Sequence, residues 1–209
     1  MNLLREYIRE LLTESVDSKM MELIDRLEEK GWKIKLMKDR AILIDPVAVK
    51  THGTIGWMTP EEYEYENYGP CLGANLVHSV YAAGGFGPVL YDVALEVAGD
   101  SGLMSDRFSV SKDAAGVWNY YMRNRGDVQV KQLDNKENKL TPEDGDNCGQ
   151  RPSLKDVGAG VGSANSILDD TVEDNYDKWP ESSLSKVYYK YGTPVIDELE
   201  RRGLLVRVK

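Results

Sequence analysis

Ala82-Ala83-Gly84-Gly85-Phe86-Gly87-Pro88 stands between an apolar run, Ala74 to Tyr81, and a helical pattern, Val89 to Ala98. A glycine-rich turn from strand to helix directs unpaired backbone N–H groups along the positive end of a helix dipole. That arrangement holds a phosphate or pyrophosphate without basic side chains. Gly85 and Gly87 would let the main chain come close to such a ligand. Ala83, Gly84, Gly85, Phe86, Gly87 and Val89 are therefore the candidate ligand-binding residues. The competing reading is a tight turn that only packs a helix onto a sheet. A dinucleotide-binding fingerprint fits less well, because no acidic residue ends a following strand at the required offset unless Asp106 takes that role. His78, on the strand before the turn, is a candidate base, against the commoner reading of a structural strand histidine. Ser105, Asp106 and Arg107 end the next short strand and are candidate substrate contacts, or else a turn with a local ion pair. His52 is expected in a turn and receives no role.

These residues need a sheet and flanking helices to hold them. Trp32 to Met37 alternates apolar with polar residues, Ala41 to Val49 is a second extended run, and Thr54 to Met58 is a third. Ala74 to Tyr81 reads as a buried strand, Gly102 to Ser105 as a short one, and Val128 to Leu133 as another. Between them the pattern predicts helices at Val89–Ala98 and Lys112–Asn124, the second capped by Ser111. Asp17 to Lys30 is a helix ended by Gly31. Ahead of it Leu3, Leu4, Tyr7, Ile8, Leu11 and Leu12 form the apolar stripe of an amphipathic helix over 1–14. Residues 136–180 are polar and glycine-rich, which predicts a long surface excursion. Helices near Ser182–Tyr191 and from Thr193 (N-cap) and Pro194 to Arg202 are expected to close the chain over 181–209. The expected fold class is α/β (α+β), a mixed β-sheet flanked by helices.

The 209-residue chain carries a formal charge of −9, which argues against a general nucleic-acid binder. No apolar run reaches the ~18 residues of a membrane span, and the charged N-terminal residues do not read as a secretory signal. A cytoplasmic location follows as the expectation. Cys71 and Cys148 lack the spacing of a zinc site and read as ordinary thiols, so no metal site is expected.

The run from Asn75 to Leu133 resembles the second half of the GCN5-related N-acetyltransferases. Ala82 to Gly87 is similar to that family's pyrophosphate loop, Q/R-x-x-G-x-G/A, with Ala82 in place of Gln or Arg. The wording Gly84 to Asp92 is also similar to uncharacterised phage-encoded proteins related to the family. The resemblance implies acetyl-CoA as cosubstrate, an acceptor amine of unknown identity, and a GNAT-like domain over 15–135. It also implies that Tyr121 or its neighbour Tyr120 protonates the departing thiolate. Leu12-Thr13-Glu14 before Ser15 resembles the cut site of phage prohead proteases. That points to a second class of function, a non-enzymatic phage structural or internal head protein, with capsid components as partners and the virion as its location.

Overall fold

In the computed structural model the described residues are 16–63, 69–106, 110–149 and 180–208. The expected helix over 1–14, with its cut site, and most of the 136–180 excursion lie outside them. The rest divides into two compact units, each assembled from separate stretches of sequence.

Unit 1 comprises residues up to Trp57, Ser79–Asp100 and Lys190 onwards. Its first described element is α1 (Ser18–Glu29), capped by Asp17, whose carboxylate accepts from the N–H groups of Lys19 and Met20. Met20, Ile24 and Leu27 form its buried stripe. Strands β1 (Lys33–Leu36), β2 (Arg40–Asp45) and β3 (Lys50–Met58, its last residue outside this unit) make an antiparallel meander. The last half of β4 (Asn75–Ala82) flanks β3. Helix α3 (Gly87–Ala98), which follows the glycine turn, is buried on nearly every side. That all-round burial marks it as the central helix of the unit. It packs on β2, α1 and α5 (Pro194–Arg201). Strand β8 (Leu205–Arg207) closes the opposite edge by pairing parallel to β1, with Ile34 opposite Leu205.

Two charged side chains of α3 lie inside this core. Lys190 Nζ is 2.7 Å from Glu96 Oε1 and 3.4 Å from Asp92 Oδ2, with all three side chains at most 2% exposed. Glu96 also accepts from the N–H groups of Val195 (2.9 Å) and Ile196 (2.8 Å), the first turn of α5. Thr193, expected as the side-chain cap of that helix, makes no capping bond. A carboxylate from another helix does that work, and places negative charge at the positive end of the α5 dipole.

Unit 2 comprises Met58–His78 and Ser101–Tyr189. It holds the short helix α2 (Pro60–Tyr63), the first half of β4, β5 (Leu103–Met104), α4 (Lys112–Asn124), β6 (Val128–Gln132) and β7 (Lys186–Lys190, its last residue in unit 1). The strand order is β6-β7-β5-β4. β5 pairs parallel to β4 (Asn75 opposite Leu103, Leu76 opposite Met104) and antiparallel to β7. The sheets are therefore mixed, with helices beside them, as expected of the fold class.

Four expectations need correction here. His52, expected in a turn, lies within β3. Ser182 to Tyr191 is not a helix: a 3-10 turn, Ser183–Ser185, leads into β7. Residues after Gly203 add the short strand β8, so the C-terminal part is not purely helical. Cys71 and Cys148, expected as free thiols, form a disulfide across 77 residues of sequence. Both are fully buried, in a cluster with Tyr63, Leu76, Met104 and Val187. The turn that carries the bond is tightly held. Cys71 (φ 41°) and Leu72 (φ 54°) are non-glycine residues in the left-handed region. A β carbon on Gly69 would stand 1.9 Å from the Asn147 carbonyl oxygen.

Candidate functional site

The glycine turn belongs to unit 1. The Ala83 N–H donates to the His52 carbonyl at 2.8 Å, which continues the strand contact past β4. The chain then reverses through Gly84 (φ 63°) and Gly85 (φ 80°), a conformation that disfavours any side chain. The Phe86 N–H donates back to the Ala83 carbonyl, and its ring is fully buried. The first α3 bond runs from the Leu90 N–H to the Phe86 carbonyl. The N–H groups of Gly87 and Val89 thus have no intrahelical acceptor, and Pro88 has no N–H to lose. Of the six predicted loop residues, Ala83 gives its N–H to His52, Phe86 gives its N–H to the turn itself, and the Val89 side chain is buried. Gly84, Gly85 and Gly87 remain half-buried or exposed. No heavy atom comes within 4 Å of a β carbon built on Gly85, and the nearest to one on Gly87 is Ala82 Cβ at 3.9 Å.

Three side chains that sequence reasoning left aside surround this turn. Arg26 of α1 donates from Nη2 to the Gly84 carbonyl at 2.9 Å, and its guanidinium lies 4.9 Å from the Phe86 ring centroid. Trp32 stacks on His52 at 3.8 Å between ring centroids and meets Phe86 at 5.4 Å. Lys30 lies over the Trp32 ring. A cation, absent from the loop at Ala82, is thus present beside Gly84 from a helix far earlier in the chain. On α1 Arg26 is one more exposed polar residue, and its position there carries no signal of a role.

The other predicted residues belong to unit 2. Tyr121 is fully buried, with ring centroids 6.5 Å from Trp118 and 6.4 Å from Tyr188, and Arg125 lies 5.1 Å from its ring. Tyr120 is half-buried beside it at 6.2 Å. The Tyr188 hydroxyl donates to the Ser183 carbonyl (2.7 Å), while the buried Ser105 hydroxyl donates to the Leu184 carbonyl (3.2 Å). Ser105 and the tyrosine cluster therefore share one anchor, the Ser183–Ser185 turn. Asp106 is half-buried, and Arg107 lies outside the described residues. His78 is exposed on β4. Among the described residues no helix is long and apolar enough to cross a membrane.

No protein-family model, no curated protein and no solved structure matches this chain.

Proposed function

We propose that this protein is an acetyl-CoA-dependent N-acyltransferase-like protein, with the Gly84–Gly87 turn as the seat of the cosubstrate's pyrophosphate. The observation that carries the reading is the sequence of elements through that turn: β4, left-handed glycines, α3, then β5 running parallel to β4. A parallel return after a helix sets the turn at the carboxyl end of a strand, where anions meet helix N-termini in α/β folds. Arg26 adds a positive charge next to Gly84. In the proposed reaction an acceptor amine attacks the thioester carbonyl carbon, the C–S bond breaks, and the thiolate leaves with a proton from the enzyme. A proton donor needs access to its substrate. Tyr120, half-buried, meets that need better than the fully buried Tyr121.

Gly87 is the cleanest place to test the reading. Its backbone is not left-handed, and an added β carbon meets nothing closer than 3.9 Å, so Gly87→Val should preserve the fold. Calorimetry of the full chain with acetyl-CoA and with desulfo-CoA should show binding of both. Gly87→Val should weaken both by about tenfold or more, through steric loss of the phosphate seat. A parent chain that ignores both ligands, or a folded variant that binds equally well, would overturn the assignment. Absence of CoA binding would favour the non-enzymatic reading, a virion protein that keeps the fold without its chemistry.

A further inference from the structure

Asp134 lies two residues after β6 and opens an acidic loop that runs to Asn147. The loop holds five carboxylates against two lysines. Asp134 itself is 1% exposed. Its Oδ2 accepts from the Thr141 N–H, and its Oδ1 has no hydrogen-bond partner. A buried carboxylate oxygen without a donor costs on the order of 1–3 kcal/mol or more, and most native structures avoid it. The lysines do not relieve it, since Lys136 is exposed and Lys139 pairs with exposed Glu137 at 3.3 Å.

A second carboxylate stands close by. The Thr141 hydroxyl donates to Asp146 Oδ1 at 2.7 Å, while the main-chain N–H of the same residue holds Asp134. Two atoms of one residue thus tie both carboxylates together. Burial, with the fields of Asp146 and Glu143, holds the Asp134 carboxyl above its usual range, against the lowering effect of the Thr141 N–H. Both ends of the loop are fixed. The Leu133 N–H donates to the Ser185 carbonyl at 3.0 Å, and Cys148 is bonded to Cys71.

We propose that the Asp134–Asp146 loop binds a hard divalent cation, Ca²⁺, with Asp134 Oδ1 as its buried anchor. Among the described residues no three His, Cys, Asp or Glu side chains gather as a metal cluster. The two carboxylates would therefore act with neutral oxygens, the Thr141 hydroxyl and main-chain carbonyls. Ca²⁺ accepts such mixed oxygen sets in flexible geometry, whereas Mg²⁺ demands a near-ideal octahedron and gives up its waters reluctantly. The loop supplies no thiolate or imidazole, the ligands that softer metals prefer.

The test is thermal melting of the full chain after treatment with a chelator. About 1 mM CaCl₂ should raise the melting temperature by about 5 °C, with a markedly smaller rise from MgCl₂. Asp134→Asn should abolish the rise. Without Ca²⁺ this variant should melt no lower than the parent, because an amide there removes charge repulsion and adds a donor. Asp146→Asn, on the more open side of the loop, should weaken the Ca²⁺ response about tenfold, and it decides the matter if Asp134→Asn does not fold. No Ca²⁺ response in the parent would mean that a proton alone meets the orphan oxygen, and would overturn the proposal. An equal response in both variants, or an equal response to Mg²⁺, would overturn it as well.

Discussion

Each unit holds a buried carboxylate, Glu96 in unit 1 and Asp134 in unit 2, and the two are satisfied in opposite ways. In unit 1 every oxygen of Glu96 is engaged, by Lys190 and by two N–H groups of α5. In unit 2 an oxygen of Asp134 has none. Unit 1 also carries a surface network in which Arg202 reaches Asp25, Glu28 and Glu198 at 2.6 to 2.8 Å, while unit 2 is secured by one covalent bond. A buried charge that is fully paired belongs to the architecture, and its removal damages the fold. A buried charge left half-paired invites something from outside the chain.

The largest expected effect comes from making unit 1 resemble unit 2. Lys190→Met would leave Glu96 and Asp92 buried without their cation. Urea unfolding should show a loss of about 3–5 kcal/mol. A loss under about 1 kcal/mol would show that the Lys190 ammonium contributes little to the fold. Next is removal of the covalent tie. Cys148→Ser should cost about 2–4 kcal/mol by denaturant titration, the typical range for loss of a disulfide. Relief of the left-handed Cys71–Leu72 backbone would push the loss toward the lower figure.

The smallest effect concerns the surface network. Hydrogen bonds from Arg201, then Arg202, pull the Glu198 carboxyl down to about 2, against the opposing effect of burial. A carboxyl lowered in the folded state contributes stability above its ordinary value near 4.5, and that contribution is lost as pH falls toward 2. Arg201 is largely exposed, so the contribution is at most about 1 kcal/mol. Glu198→Gln should lower stability at pH 7 by at most about 1 kcal/mol and flatten its fall between pH 4.5 and 2, so that variant and parent converge near pH 2. An unaltered acid limb in that variant would show that other carboxyls govern it.

Much of the frame was legible in local pattern. Alternation located β1, and Ser111 located the start of α4, where its hydroxyl accepts from the Ala114 N–H at 3.2 Å. The succession from β4 through the turn to α4 followed from apolar runs and glycines. β7 was misread because nearly all of Lys186–Lys190 is buried, so the period of two that identifies a half-exposed strand is missing. β8 has three residues, too few for any period. The Thr193 cap was a sound local inference overridden by Glu96, about a hundred positions away in sequence. The disulfide failed for the same reason, since spacing says nothing about partners 77 residues apart. The glycine reversal from β4 into α3 was legible in advance. Arg26 beside Gly84 and the orphan oxygen of Asp134 were not, because both depend on what the folded chain brings near.

The parallel pairing of β1 with β8 has a consequence for how the molecule forms. Arg202 meets Asp25 across 177 residues of sequence, and Ile34 pairs with Leu205 from the other end of the described chain. During synthesis the meander β1–β3 emerges early, yet its open edge and the core position facing Asp92 and Glu96 wait for Lys190, α5 and β8. Contacts of such long range carry a large loop-closure entropy and slow the search. Until the last segment arrives, unit 1 presents an unpaired strand edge and an unneutralised acidic helix, the condition in which nascent chains associate wrongly or recruit chaperones.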